Sequence, residues 1–161
     1  MRGCGLVYPC FCTRADIAAS LSAPHEPEGA IYPGTCRDGT APDFSRPHSW
    51  RLDVKKAVRS LPQEEPGLFW HDALAGPVRA DPLAHGDVIL ARKDAPASYH
   101  LAVTVDDAAQ GITHVVRGKD LFEATHIHRL LQALLGLPTP EYRHHDLLLG
   151  PDGQRLAKRH G

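Results

Sequence analysis

A chain of 161 residues with 42% hydrophobic and 23% charged residues is long enough for one domain with a real core, and too apolar for wholesale disorder. Its 18 basic residues are balanced by 19 acidic ones, which argues against a protein that coats nucleic acid by net charge but leaves room for a local basic patch. No apolar run at the start resembles a signal peptide and no stretch approaches transmembrane length, so the expectation is a cytoplasmic protein with no membrane partner, where cysteines serve more often as metal ligands or redox thiols than as disulfides.

In chain order, residues 1–12 are Gly- and Cys-rich and read as a turn or knuckle. Thr13 is a cap for a helix over 13–23, with Ile17 and Leu21 at helical spacing. The segment 24–44 is dense in Pro and Gly and reads as loop, of a length that is uncommon unless functional or pinned. "SWRLDV" alternates Trp50, Leu52 and Val54 as a strand does, and "GLFWHDAL" and "GDVILARK" are two further short strands. "SYHLAVTVDDAAQG" fits both periods: Leu101, Val103 and Val105 alternate, while Leu101, Val105 and Ala108 keep helical spacing. "ITHVVRG" reads as a strand. The clearest helix follows, with a capping-box pattern of Asp120 and Glu123, an apolar face of Ile127, Leu130, Leu131, Leu134 and Leu135, and a stop at Gly136 and Pro138. "YRHHDLLLG" is a last strand before the turn signal "PDGQ". Strands alternating with helices predict an α/β fold with a largely parallel sheet.

Three constellations could carry chemistry. Cys4, Cys10, Cys12 and Cys36 could form one tetrahedral thiolate site, or His25 could complete it; free thiols or a redox pair are the other readings. Tyr99 and Arg117 flank the 103–116 segment. An arginine at a strand end before a helix can grip a carboxylate with two parallel hydrogen bonds, with the tyrosine adding a third, whereas the plainer reading is an ion pair with Asp106, Asp107 or Asp120. "RLAKR" at 155–159 is a basic loop able to neutralise phosphate charge, or simply a solvated charge run. The eleven histidines are scattered, with His126 and His128 two apart on a helix and His144 and His145 adjacent on a strand, and read as surface residues.

Together, "YPCFCTRADI", "YPGTCR", "WRLDV", "GDVILARKDAPASYHLAVTVDDAAQGITHVVRGKDL" and "LLGLPTPEYRHHDLLLGPDGQRLAKR" resemble the glutamyl-queuosine tRNA(Asp) synthetase family, a glutamyl-tRNA-synthetase-like class I group. The "DDAAQGITHVVRG" segment is shared with ordinary glutamyl-tRNA synthetases, whereas Cys-x-Cys followed by "YPGTCR" is more specific to the queuosine branch. The resemblance implies an incomplete Rossmann-type catalytic domain with a zinc-binding insertion, divided into a zinc-binding segment and loop (1–48) and the remainder of the catalytic domain (49–161). It implies Zn2+ on Cys10, Cys12, Tyr32 and Cys36, so that Tyr32 takes the place of Cys4, with an insertion between Cys12 and Tyr32. It implies glutamate binding by Tyr99 and Arg117 and ATP contact by Lys158, with Mg2+ accompanying ATP. Two departures stand in the lysine loop, Arg155 for a lysine and Ala157 for a serine.

The implied partners are tRNA(Asp) bearing queuosine, L-glutamate and ATP, and the implied state is a monomer. The family's His-x-Gly-His signature is absent from these residues, so the expectation is a partial chain, inactive alone. A fragment of an ordinary glutamyl-tRNA synthetase, a zinc-stabilised RNA-binding module and a decayed remnant are the competing readings.

Overall fold

A computed structural model describes residues 1–13, 15–17, 31–39, 42–62 and 67–150. In chain order these form β1 (Val7–Cys10), β2 (Ser49–Leu52), α1 (Val54–Ser60), β3 (Phe69–Asp72), β4 (Gly76–Arg79), a 3-10 turn (Pro82–His85), β5 (Ile89–Ala91), α2 (Tyr99–Ala109), β6 (His114–Gly118), a second 3-10 turn (Lys119–Leu121), α3 (Ala124–Leu135) and β7 (Glu141–His145). Among the described residues no helix is long and apolar enough to cross a membrane.

The strands make two sheets. One is antiparallel throughout, in the order β1-β2-β5, and the other runs β4-β3-β7-β6. In the second sheet β3, β7 and β6 are parallel and β4 joins antiparallel. The β6–α3–β7 unit is thus a parallel crossover of the Rossmann type. The expected largely parallel sheet is confined to these three strands, because the β3–β4 hairpin and the β1-β2-β5 sheet close by antiparallel pairing. The segment before residue 48 contributes β1, which pairs with β2 through Val7↔Leu52 to Cys10↔Ser49; residues 1–12 therefore hold a strand where a knuckle alone was expected.

The core forms where the apolar stripes meet. Ile127, Leu130 and Leu131 of α3 are fully buried against Leu52, Val54, Ala57, Leu90 and Leu6. The α3 stripe stops as its sequence demands: Gly136 takes the left-handed conformation at φ 63, and the Leu137 and Gly136 amides bond back to the Gln132 and Ala133 carbonyls. The start differs. The helix begins after Glu123 with no side-chain cap, because residues 119–121 form a separate 3-10 turn, so the Asp120–Glu123 capping box does not form. Thr13 does cap its segment: its hydroxyl accepts the Asp16 amide while Asp16 reaches back to Thr13. The expected helix beyond Ile17 lies outside the described residues, as does the loop over 18–30.

The ambiguous segment resolves as helix α2, with the Ser98 hydroxyl accepting the Leu101 amide. Helix α1 and strand β4 are not among the sequence expectations. The α1 signal was nevertheless present: Asp53 accepts the Lys56 amide at 2.8 Å as the cap, and Val54 and Ala57 bury one face.

Candidate functional site

The end of β1 and the turn at 31–39 bring four donors together. The Tyr32 hydroxyl lies 3.5 Å from both the Cys10 and the Cys12 sulfur, and the Cys12 and Cys36 sulfurs are 3.4 Å apart. The three sulfurs lie within 4.8 Å of one another. Tetrahedral zinc bonds of ~2.3 Å to sulfur and ~2.0 Å to oxygen require about 3.8 Å between sulfurs and about 3.5 Å between sulfur and oxygen, so the cluster fits such an ion. Cys4 is exposed and is not part of the cluster. The turn depends on Gly34 at φ 90, a backbone conformation that favours glycine, and on the Arg37 amide bonding to the Gly34 carbonyl at 2.8 Å.

The surroundings suit thiolates. The Phe11 amide donates to Cys36 Sγ, the Cys36 amide to the Tyr32 oxygen, and Arg51 Nε to Cys10 Sγ at 3.3 Å. The Arg51 guanidinium also lies 3.8 Å over the Tyr32 ring and donates to the Asp87 carbonyl at 2.7 Å. Burial opposes the Cys36 thiolate, but donors from Tyr32, Phe11 and Cys12 outweigh it and bring the thiol down to about 7. Burial pushes Cys12 up to about 11 despite a bond from Tyr32. Burial and the three thiols hold the Tyr32 phenol well above its ordinary value. Donors so placed resist ionising together unless a cation shares the space. Asp87 ties this corner to the sheets, accepting from the Tyr8 hydroxyl, Arg37 and the Val54 amide at 2.7, 2.8 and 3.0 Å.

Tyr99 and Arg117 also come together. Arg117 Nη1 donates to the Tyr99 hydroxyl at 3.3 Å, from the end of β6 to the start of α2. The ion pair considered for Arg117 does not form: among the described residues its partners are His144, His128, Thr125, the Leu121 carbonyl and Tyr99, with no carboxylate. Nε and Nη2 are engaged by the fold, and Nη1 faces both His128 Nδ1 and the Tyr99 hydroxyl, so a ligand meets the guanidinium at the Nη1 proton that points to Tyr99. A grip through two parallel hydrogen bonds would need His128 to give up its place between the two Nη atoms. A cavity of about 770 Å³ extends from Cys10 and Cys12 past Arg51 to Tyr99 and His100. Lys158, Arg155, Ala157 and His25 lie outside the described residues.

The histidines correct the sequence reading most. His126, His128 and His144 are buried, whereas His71, His114 and His145 are exposed as expected, and the β7 pair faces opposite ways. His144 bonds to Asp72, Arg117 and Thr125, and His128 to Arg117 and His100. Trp70 lies edge-on to both His126 and His144. Sequence spacing could not find these partners, since Asp72 and His144 are 72 residues apart. A second group of metal-type donors, His85, Glu123 and His126, converges near α3. The Asp81 amide donates into His126 Nδ1 at 3.0 Å, which leaves the proton of the neutral ring on Nε2, the atom facing Glu123. That ring presents a donor, not a metal ligand.

Comparisons with known proteins place the chain among its relatives. The chain is 48% identical to the glutamyl-Q tRNA(Asp) synthetase of Rhodobacter capsulatus, over 96% of this chain and 59% of the relative. It is 48% identical to that of Symbiobacterium thermophilum, over 98% and 48%, and 44% identical to that of Nocardia farcinica, over 100% and 50%. The chain thus spans about half the length of the curated relatives it matches. Among solved structures, the glutamate-tRNA synthetase of Elizabethkingia anophelis superimposes with a TM-score of 0.69 at 24% identity, covering 96% of this chain and 32% of that one, a likeness of fold. The model for tRNA synthetases class I (E and Q), catalytic domain, matches residues 4–161, and the chain belongs to that family.

Proposed function

We propose that this chain is the part of a glutamyl-queuosine tRNA(Asp) synthetase catalytic domain that receives glutamate and carries a structural zinc. The observation that carries the reading is the meeting of the Arg117 guanidinium with the Tyr99 hydroxyl at 3.3 Å, beside a cavity that Tyr99 helps to line. A cation and a hydroxyl side by side suit a carboxylate. The names of the relatives supply the queuosine acceptor.

Zinc on Cys10, Cys12, Tyr32 and Cys36 would pin the 31–39 turn to the end of β1, and its part is to hold that wall of the cavity in shape. Arg117 and Tyr99 bind and orient the amino acid. Lys158 contacts ATP, neutralising phosphate charge as it develops, with Mg2+ accompanying the nucleotide. In the complete enzyme a glutamate carboxylate oxygen attacks the α-phosphorus of ATP and pyrophosphate leaves. A queuosine hydroxyl then attacks the activated carbonyl and AMP leaves. The protein's part is placement and charge stabilisation rather than covalent catalysis.

The sequence holds no His-x-Gly-His, so the 161-residue span by itself is read as unable to activate glutamate. Two assays test the reading. The span alone is expected to give no glutamate-dependent pyrophosphate exchange. Joined to a segment bearing His-x-Gly-His, it is expected to glutamylate queuosine-containing tRNA(Asp) and not tRNA(Glu). Exchange by the span alone, or preference for tRNA(Glu), would overturn the corresponding part.

A further inference from the structure

We propose that Asp72 and His144 form a positioning pair for Arg117: the aspartate fixes the histidine's tautomer, and the histidine then turns the guanidinium so that Nη1 faces Tyr99. This rests on the reading of Arg117 as the carboxylate receptor and adds what makes that receptor rigid.

The directions of the hydrogen bonds follow from what each group can do. Arginine carries donors only. Arg117 Nε lies 3.0 Å from His144 Nε2, so Nε2 has no proton and accepts. The proton of the neutral ring is then on Nδ1, which lies 2.7 Å from Asp72 Oδ2. The same oxygen accepts the His144 amide at 3.0 Å, and Oδ1 accepts the Leu74 and Ala75 amides at 2.9 and 3.0 Å. Four donors therefore hold a carboxylate that is 1% exposed, and both its oxygens are committed. It has no freedom to turn and release the ring. A buried aspartate that fixes a histidine tautomer is a recurring device wherever the other ring nitrogen has work to do.

The remainder of the guanidinium is held from the far side. Nη2 donates to the Thr125 hydroxyl at 2.6 Å and to the Leu121 carbonyl at 3.3 Å. Thr125 Oγ1 can give its own proton to the Leu121 carbonyl or to the unprotonated His144 Nε2, at 3.3 and 3.4 Å, leaving its lone pairs for Arg117. His128 Nδ1 sits 3.3 to 3.4 Å from both Nη atoms and must accept, so its Nε2 proton points to His100 Nδ1 at 3.2 Å. The network is consistent only with neutral rings at His144 and His128. Burial opposes protonation of both. The Asp72 charge balances that of Arg117 across the His144 ring, which lets a cation sit at the inner end of the site.

Two substitutions separate positioning from mere support of the fold. In His144→Asn the side-chain amide can still donate to Asp72 but offers Arg117 no acceptor. In His144→Gln the longer side chain can place its carbonyl oxygen where Nε2 stood. Both lose the ring's packing against Trp70 and Tyr142, so both should melt at lower temperature by similar amounts.

The test uses the 161-residue chain labelled with 15N, titrated with L-glutamate and followed by NMR. The wild type is expected to show His144 in the Nδ1–H tautomer and a 15N–15N coupling between His144 Nε2 and Arg117 Nε. His144→Asn is expected to bind L-glutamate on the order of 10-fold to 100-fold more weakly, with His144→Gln recovering most of that loss. A proton on His144 Nε2, or equal glutamate affinity in wild type and His144→Asn, would overturn the proposal. Equal weakening in both variants, tracking their melting temperatures, would also overturn it, since that is the behaviour of a purely structural residue. If the wild type itself binds no L-glutamate, the receptor reading fails, and the tautomer and coupling alone decide whether the pair orients Arg117.

Discussion

The Tyr99 hydroxyl and Arg117 Nη1 meet at 3.3 Å across 18 residues of sequence, one from the first turn of α2 and the other from the end of β6. Tyr99 is 49% exposed, whereas the rest of the guanidinium is enclosed by partners on α3 and β7. Their energetic weights should therefore differ. Tyr99→Phe removes one neutral hydrogen bond and is expected to weaken L-glutamate binding about 3-fold to 10-fold, with little change in melting temperature. Arg117→Lys removes the planar fork and leaves His144 and Thr125 without their donor. It is expected to abolish measurable binding and also to lower stability by about 2 kcal/mol. NMR titration and thermal melts measure both effects.

The metal reading makes a separable prediction. Cys10→Ser, Cys12→Ser or Cys36→Ser should each reduce bound zinc from one ion per chain towards none, by atomic emission on the purified protein. Tyr32→Phe should weaken zinc retention against a chelator, because the phenol oxygen sits 3.5 Å from two of the sulfurs. Cys4→Ser should change nothing, as Cys4 is exposed and lies outside the cluster. If only the Cys4 change releases zinc, the fourth ligand is misassigned.

Stability should fall with acid, and the histidines set the window. Burial first, and then the Arg117 charge, hold His128 down at about 3. His100, His126 and His144 are lowered too, in each case chiefly by burial. Unfolded histidines titrate near ~6.5, so between that value and the folded one the unfolded chain binds more protons. Their contribution is thus fully present above pH ~6.5 and is lost as pH falls, by up to ~1.4 kcal/mol per pH unit for each such ring. Asp72 adds a second loss below pH ~4, because the amides of Ala75 and Leu74 and its bond to His144 outweigh burial and bring it to about 2. Urea unfolding between pH 8 and pH 5 should show the first fall, and a flat profile would contradict the neutral buried rings.

The α3 core carries the crossover between β6 and β7. Leu130 is fully buried within the cluster that joins α3 to Leu52, Val54 and Ala57. Leu130→Ala should cost about 2–5 kcal/mol through lost burial and the cavity left behind. Chemical denaturation measures it, and a change below about 1 kcal/mol would mean that α3 repacks freely.

What could be read from the chain was what local pattern controls. The apolar stripe of α3, its glycine stop, and strands β2, β3, β5, β6 and β7 all follow from periodicity and turn residues. The 99–109 segment was undecided because its apolar residues satisfy both periods; the cap at Ser98 settles it as helix. Helix α1 escaped because the strand-like alternation of "SWRLDV" runs into its first turn, and β4 because it begins with Gly76 and Pro77, residues that strands disfavour. The three cysteines of the cluster were legible from their types. That Tyr32 rather than Cys4 stands beside them was implied only by the resemblance. Arg51, Asp72, Asp87 and the buried histidines were illegible, since each owes its role to partners brought near by sheet pairing across tens of residues. An isolated histidine in a sequence carries no mark of the ring that will pack on it.

The most direct test of the glutamate-receiving site is a titration of the 161-residue chain with L-glutamate and, separately, with L-glutamine, followed by NMR at Tyr99 and Arg117. The two ligands differ in one carboxylate, the group a guanidinium beside a phenol should recognise. The account predicts saturable shifts at both residues with glutamate and binding at least about tenfold weaker with glutamine. Equal affinity for the two, or shifts that avoid Tyr99 and Arg117, would contradict it.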